Sequence, residues 1–219
     1  MHIREYLDIR GQTARVRANR EKALFSHIFN KAREWGFTSA QNPCQGVKGF
    51  KETGRDRYVT DEEFERVKQH AHFTVVDAMD VALLTGQRPA DVLKIKRADI
   101  RDGALWIVQN KTGARLGIEI TGELAAVIDR ISHRPWKAIS AFLIQDENGQ
   151  PLSQFALRSR FDKARTLAKV DFQFRDIRAK AATDTGDLAH SQKLLAHKNR
   201  DMTEHYVRAR LGDRVKTLR

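Results

Sequence analysis

Helical periodicity dominates the sequence, and at one place it is replaced by strand-like alternation. Between Ile100 and Ile120 it gives way to two short apolar-alternating runs, LWIVQ (105–109) and RLGIEI (115–120), around Asn110-Lys111-Thr112-Gly113-Ala114. That pattern predicts a β-hairpin with Lys111 at or near its turn. Outside this stretch and the segment 37–57 the spacing is mostly helical. Leu24, Phe25, Ile28, Phe29, Ala32 and Trp35 predict an amphipathic helix over 20–35, stopped by Gly36. Thr60-Asp61-Glu62-Glu63 has capping-box spacing and opens a helix over 61–71, and the next, from Thr74 to Leu84, ends at Gly86. Further helices are predicted over 122–132, 154–168, 176–184, 189–196 and 202–210, several preceded by Thr, Ser or Asp as N-caps. Without strand–helix alternation a parallel sheet cannot be built, so the fold class is mainly α with a small antiparallel β-sheet.

The stretch FTSAQNPCQGVKGFKETGRDR (37–57) carries Asn42-Pro43 and three glycines, and it reads as a linker or strap between a small N-terminal piece and a main domain. With 219 residues, one ordinary domain and a satellite fit the length. Charge is unevenly spread. Residues 1–60 carry 12 basic and 6 acidic side chains, residues 61–157 carry 12 and 14, and residues 158–219 carry 16 and 8. Both ends of the chain are therefore suited to gripping a polyanion, with the middle as scaffold. An acidic-substrate surface, disordered tail, secretory leader and membrane span are all disfavoured by this composition and by the polar N-terminus. A cytoplasmic setting is expected.

Common catalytic signatures are missing: the sequence has no GxxxxGK[ST], GxGxxG, HExxH or GxSxG. Cys44 is the only cysteine, so no internal disulfide and no cysteine metal cluster can form. His70 and His72 diverge on a helix, which argues against a metal site there. Neither a metal nor a cofactor is expected.

What remains is a series of basic segments closed by a tyrosine: TGQRPADVLKIKRADI (85–100), NKTG (110–113), FRDIRAKAATD (174–184), LLAHK (194–198) and MTEHYVR (202–208). In this order and with these gaps, the sequence resembles the tyrosine recombinases, the phage integrase family. Each residue alone has an ordinary reading: a packed tyrosine, a helix-end arginine, a core histidine, a solvated turn lysine. Five segments in register over about 120 residues make the joint coincidence improbable. The resemblance implies the DNA breaking-rejoining catalytic fold over residues 51–219, and a partial helical core-binding region with the start of the linker over residues 1–50. It assigns Arg88 and Arg178 as catalytic arginines, Asp91 as the carboxylate orienting Arg88, Lys111 as the hairpin lysine, His197 as the histidine before the nucleophile and Tyr206 as the nucleophile. The implied reaction is attack of Tyr206 on a DNA phosphodiester, giving a 3′-phosphotyrosyl enzyme and a free 5′-hydroxyl, followed by rejoining.

The chemistry suits these residue types. Charge concentrates on the non-bridging oxygens during in-line attack, and arginines offer fixed, permanently charged donors to them. The leaving 5′-oxygen needs a proton, which a lysine on a hairpin turn can supply. A tyrosine hydroxyl with a pKa near 10 is ionised to about one part in a thousand at pH 7, a deficit of roughly 4 kcal/mol, so a cationic pocket matters. His197 is suited to bonding the phosphate or to managing that proton.

Three departures from the family pattern stand out. Arg175 occupies a position usually held by histidine or lysine. At i,i+3 from Arg178 it is expected to touch the same phosphate as an electrostatic clamp, and it cannot serve as a base. Ala196 stands where glycine is commoner, which is harmless unless the backbone needs a positive φ there. Only one full helix and a basic lead-in precede the linker, against the complete helical bundle usual in the family. His190 and His205 are candidates for supporting positions beside His197 and Tyr206. Expected partners are double-stranded DNA, further copies of the chain as a homo-tetramer on synapsed sites, and accessory DNA-bending proteins, with no membrane. Topoisomerase-like cleavage and an inactive DNA-binding remnant are the alternatives.

Overall fold

The computed structural model describes residues 2–207. It divides into two units, Met1–Arg55 and Asp56–Arg219.

The first unit is one long helix with a strap along it. Helix α1 spans Ile3–Glu34, with a local break at Ala14 (φ −152°, ψ 67°). The expected basic lead-in is thus itself helical, and its alanines and arginines favour that state. The strap is fixed by polar groups. Asn19 Nδ2 donates to Phe50 O (2.9 Å) and Asn19 Oδ1 accepts from Phe50 N (2.8 Å), while Asn42 Nδ2 donates to Ser26 O (3.1 Å) and Asn30 Oδ1 (2.8 Å). The Phe50 ring lies so close to Gly11 that any Cβ there would sit 2.2 Å from its nearest atom. Leu7, Gly11 and Ala18 are buried, whereas Leu24, Phe25, Ile28 and Trp35 of the predicted apolar stripe are exposed. The strap follows the face that offers hydrogen-bond partners rather than the most apolar one.

The second unit is built around a buried helix. The helices are α2 (Asp61–His70), α3 (Phe73–Thr85), α4 (Pro89–Val92), α5 (Gly122–Ser132), α6 (Gln154–Leu167), α7 (Asp176–Asp184), α8 (Leu188–Leu195) and α9 (Arg200–Glu204). The Thr60–Glu63 capping box forms as the spacing predicts. Helix α3 is apolar nearly all round, and Val75, Ala78, Met79, Val81 and Ala82 are buried against α5, α6 and α7. Its two buried carboxylates, Asp77 and Asp80, are paired with Arg130, Arg134 and Lys68. Strands β1 (Ile100–Arg101), β2 (Ala104–Val108) and β3 (Arg115–Glu119) form an antiparallel sheet in that order, with Leu105 opposite Ile118 and Ile107 opposite Leu116. Leu105 and Ile107 face the core, while Trp106 and Val108 are exposed on the other side.

The observed fold class is mainly helical with a three-stranded antiparallel sheet. Two short pieces escaped the periodicity, α4 and a 3-10 turn over Arg97–Asp99, each too short to establish a period. The predicted helix over 202–210 is corrected. Helix α9 begins at Arg200 and ends at Glu204, so Tyr206 lies in the turn beyond it, and residues 208–210 lie outside the described residues. Among the described residues no helix is long and apolar enough to cross a membrane.

Candidate active site

The site is assembled where α3 stops. Gly86 caps α3 with φ +64°, and a Cβ there would come within 3.1–3.3 Å of the Leu194 and Leu195 side chains. Both the left-handed backbone and the close approach of α8 require glycine. The chain then turns through Gln87 and Arg88 into α4, with Pro89 in its first turn. Arg88 Nη1 donates to Gln109 Oε1 at 3.3 Å and stands 3.9 Å from Asp91 Oδ2, beyond hydrogen-bonding reach. Asp91 instead accepts the backbone N–H of Asn110 (2.8 Å), so its stronger contact is with the hairpin turn.

Arg178 projects from α7 into the same corner and is 2% exposed. Its Nη1 donates to Gly86 O (2.5 Å), and its Nη2 to Leu195 O (2.9 Å) and to His197 Nε2 (3.1 Å). Nε is buried with no hydrogen-bond partner among the described residues. Burial, then the charge of Arg88, pulls Arg178 down to about 10, which leaves it cationic at neutral pH. His197 is also buried. Desolvation, then the charges of Arg178 and Arg88, push its pKa down to about 4. Because an arginine N–H can only donate, the neutral imidazole must accept at Nε2, so Nδ1 carries the proton and donates to Thr203 Oγ1 (3.1 Å). The lone pair of His197 is therefore committed to Arg178.

Ala196, just before His197, has φ +52° and ψ 44°. The condition under which alanine would be harmless is thus not met, since α8 ends in the left-handed conformation that glycine adopts without strain. Tyr206 is half-buried beside this cluster. Its ring centroid lies 5.2 Å from that of His197, and the Arg178 guanidinium carbon lies 5.5 Å from it.

Other candidate residues lie outside this cluster. Lys111 is exposed in the hairpin turn. Arg175 is the exposed N-cap of α7 and lines a cavity of about 280 Å³ with Pro89, Arg158, Phe161, Arg165 and Phe174. Despite the i,i+3 spacing, Arg175 and Arg178 have different surroundings, because Arg178 is drawn inward by the Gly86 and Leu195 carbonyls. His205 packs edge-on to Tyr206 at 6.4 Å between centroids, while His190 is exposed on α8. Among the described residues no group of three or more His, Cys, Asp or Glu side chains is placed to hold a metal ion.

The phage integrase family model matches residues 58–211. The chain belongs to the phage integrase family. It is 30% identical over 194 residues to the integrase of Escherichia phage HK022, covering 80% of this chain and 54% of that one. Prophage integrase IntE of Escherichia coli K12 is 27% identical over 209 residues, covering 84% and 55%. The chain thus spans about half the length of the curated relatives it matches. The fold is similar to that of lambda integrase residues 75–356 solved as a dimer bound to a COC′ core site, with TM-score 0.86, 23% identity, and 98% and 82% of the two chains covered. A lambda integrase tetramer bound to a Holliday junction gives TM-score 0.86 at 23% identity, covering 99% and 68%.

Within this integrase-family domain, sequence reasoning missed the buried polar residues that hold the cluster together. Gln87 donates to Thr85 O (2.8 Å) and Leu194 O (3.2 Å), Gln109 links the hairpin to α8, and Thr203 bonds the Nδ1 side of His197. Gln87 lies beside Arg88 and Gln109 two residues before Lys111, so adjacency to motif residues was the available signal.

Proposed function

We propose that the chain is a tyrosine-type site-specific recombinase that cleaves and rejoins double-stranded DNA through a 3′-phosphotyrosyl intermediate. The observation that carries this reading is the convergence of Arg178, His197 and Tyr206 at the end of α3, beside Arg88. In the proposed step, the Tyr206 hydroxyl oxygen attacks phosphorus, losing its proton to solvent as the bond to the 5′-oxygen breaks. Arg88 and Arg178 neutralise the charge on the non-bridging oxygens. Lys111 protonates the departing 5′-oxygen, leaving a free hydroxyl. Neutral His197 orients Arg178 through Nε2. Arg175, a permanent cation at the mouth of a neighbouring cavity, holds the DNA backbone electrostatically. The covalent link conserves the energy of the broken bond, so no metal or energy-rich cofactor is needed.

On this reading residues 1–50 act as part of a core-binding region and residues 51–219 as the catalytic domain. The working partners are double-stranded DNA, further copies of the chain as a tetramer on synapsed sites, and accessory DNA-bending proteins, in the bacterial cytoplasm or nucleoid. The dimeric and tetrameric DNA complexes of lambda integrase support the partner assignment by likeness of fold.

The test is covalent trapping. The full chain is incubated with nicked suicide duplexes carrying a randomised core, and DNA that stays attached to protein in detergent is recovered. Accumulation of an adduct that persists in EDTA is expected, and none with any core sequence contradicts the proposal. Binding should weaken steeply with added salt as counterions are displaced.

A further inference from the structure

Gln109 is the first residue after β2, and at 1% exposure its amide lies in the interior. Each hydrogen-bonding position of that amide is occupied. Nε2 donates to Gln87 Oε1 (2.9 Å) and to Leu195 O (3.1 Å), while Oε1 accepts from Arg88 Nη1 (3.3 Å) and from Thr112 Oγ1 (2.9 Å). The orientation of the amide is forced. Turned over, its NH2 would face a guanidinium and its oxygen would face two acceptors. The backbone of Gln109 closes the turn as well, with Gly113 N donating to Gln109 O and Gln109 N to Ala114 O, both at 2.9 Å.

One side chain therefore touches three parts of the proposed machinery. Through Thr112 it holds the turn that carries Lys111. Through Oε1 it meets Arg88. Through Leu195 O, which also accepts from Arg178 Nη2, it shares an anchor with the second arginine. Lys111 is exposed and lies two residues beyond this fixed point, so its reach toward a leaving oxygen is set by how firmly the turn is held.

We propose that Gln109 is a positioning residue that registers the Lys111 turn against Arg88 and the Leu195 carbonyl, so that the proton donor and the arginines act on one phosphate. This rests on the recombinase reading above and assigns that site an additional member.

The experiment separates positioning from general structural support through the leaving group. Single-turnover cleavage is measured with wild type, Lys111→Ala, Gln109→Met and Thr112→Val. The substrates are two nicked suicide duplexes identical but for a 5′-bridging sulfur in place of oxygen at the scissile phosphate. A thiolate leaves without protonation, so misplacement of a proton donor is forgiven on the sulfur duplex. Gln109→Met should lose about 10²-fold on the oxygen duplex, the scale expected for a small displacement of a catalytic group, and recover at least 10-fold of that on sulfur. Thr112→Val, a change at an exposed residue that keeps Gln109 and its other three bonds, should lose a few-fold on oxygen and almost nothing on sulfur. Equal losses on both duplexes for both variants, or wild-type rates on oxygen, would overturn the positioning role. Failure of the wild type to form an adduct on either duplex would instead overturn the recombinase reading on which it rests.

Discussion

The candidate site has an interior half and an exposed half, and they are held by different means. Arg178 and His197 are buried, and the carbonyls of Gly86 and Leu195 and the hydroxyl of Thr203 fix them. Lys111 and Arg175 are exposed on a hairpin turn and a helix N-cap. Groups that must meet charge at a fixed point gain from preorganisation, because they need not reorganise during reaction. Groups that deliver a proton or steady a flexible polyanion gain from a mobile side chain carried on a held backbone. Substitutions in the interior half should therefore cost chemistry and stability together, and substitutions in the exposed half should cost chemistry alone.

The largest expected effect lies where the halves meet. Tyr206→Phe should abolish covalent attachment while DNA binding, measured by gel shift, stays near wild type, because only the nucleophilic oxygen is removed. An undiminished phosphotyrosyl adduct would remove Tyr206 from the scheme. Next is the contrast between Arg178→Ala and Lys111→Ala. Each should slow single-turnover cleavage by about 10²–10³-fold, but only Arg178→Ala should also lower the melting temperature, since it strips donors from two buried carbonyls and from His197. Equal melting temperatures in the two variants would erase the distinction between the halves.

A pH measurement sharpens the comparison further. His197 has a folded-state pKa near 4 against an ordinary value of 6.5, so as pH falls below 6.5 the unfolded chain takes up a proton that the folded chain refuses. Stability should be fully present above pH 6.5 and decline towards pH 4, by an order of 2–3 kcal/mol for this group. In His197→Gln, whose amide oxygen can still accept from Arg178, thermal melts between pH 4 and 7 should show a shallower decline. Parallel curves would mean that His197 takes up its proton over the same pH range in the folded chain as in the unfolded one. The smallest effect is at Ala196. Ala196→Gly should relieve the left-handed strain and raise stability by about 1 kcal/mol, or roughly 2–4 °C in melting temperature. A lower melting temperature would show that the alanine methyl contributes packing that outweighs the strain.

Much of this organisation was legible in the sequence, for identifiable reasons. Spacing located α2, α3, α5, α6, α7 and α8 within a residue or two, the first five because their apolar faces pack on a single core, and the alternation around Lys111 located the hairpin. The fate of the α1 stripe was not legible. Side-chain amides of Asn19 and Asn42 bind the strap along another face, and hydrogen bonding of that kind leaves no periodic trace. The left-handed turn at Ala196 was hidden because alanine does not announce a positive φ as glycine does. Gln87, Gln109 and Thr203 were missed because a neutral polar residue gives no sign in sequence of being buried and fully bonded. The different surroundings of Arg175 and Arg178 follow from tertiary carbonyl acceptors at Gly86 and Leu195, 92 and 17 residues from Arg178.

The most direct test of the account is to identify the atom that joins protein to DNA. Wild-type chain trapped on a suicide duplex is digested with protease and nuclease, and the nucleotide-bearing peptide is sequenced by mass spectrometry. The account predicts one modified peptide, with the nucleotide's 3′-phosphate esterified to the oxygen of Tyr206. A 5′-phosphate linkage, or attachment at any other residue, would contradict it.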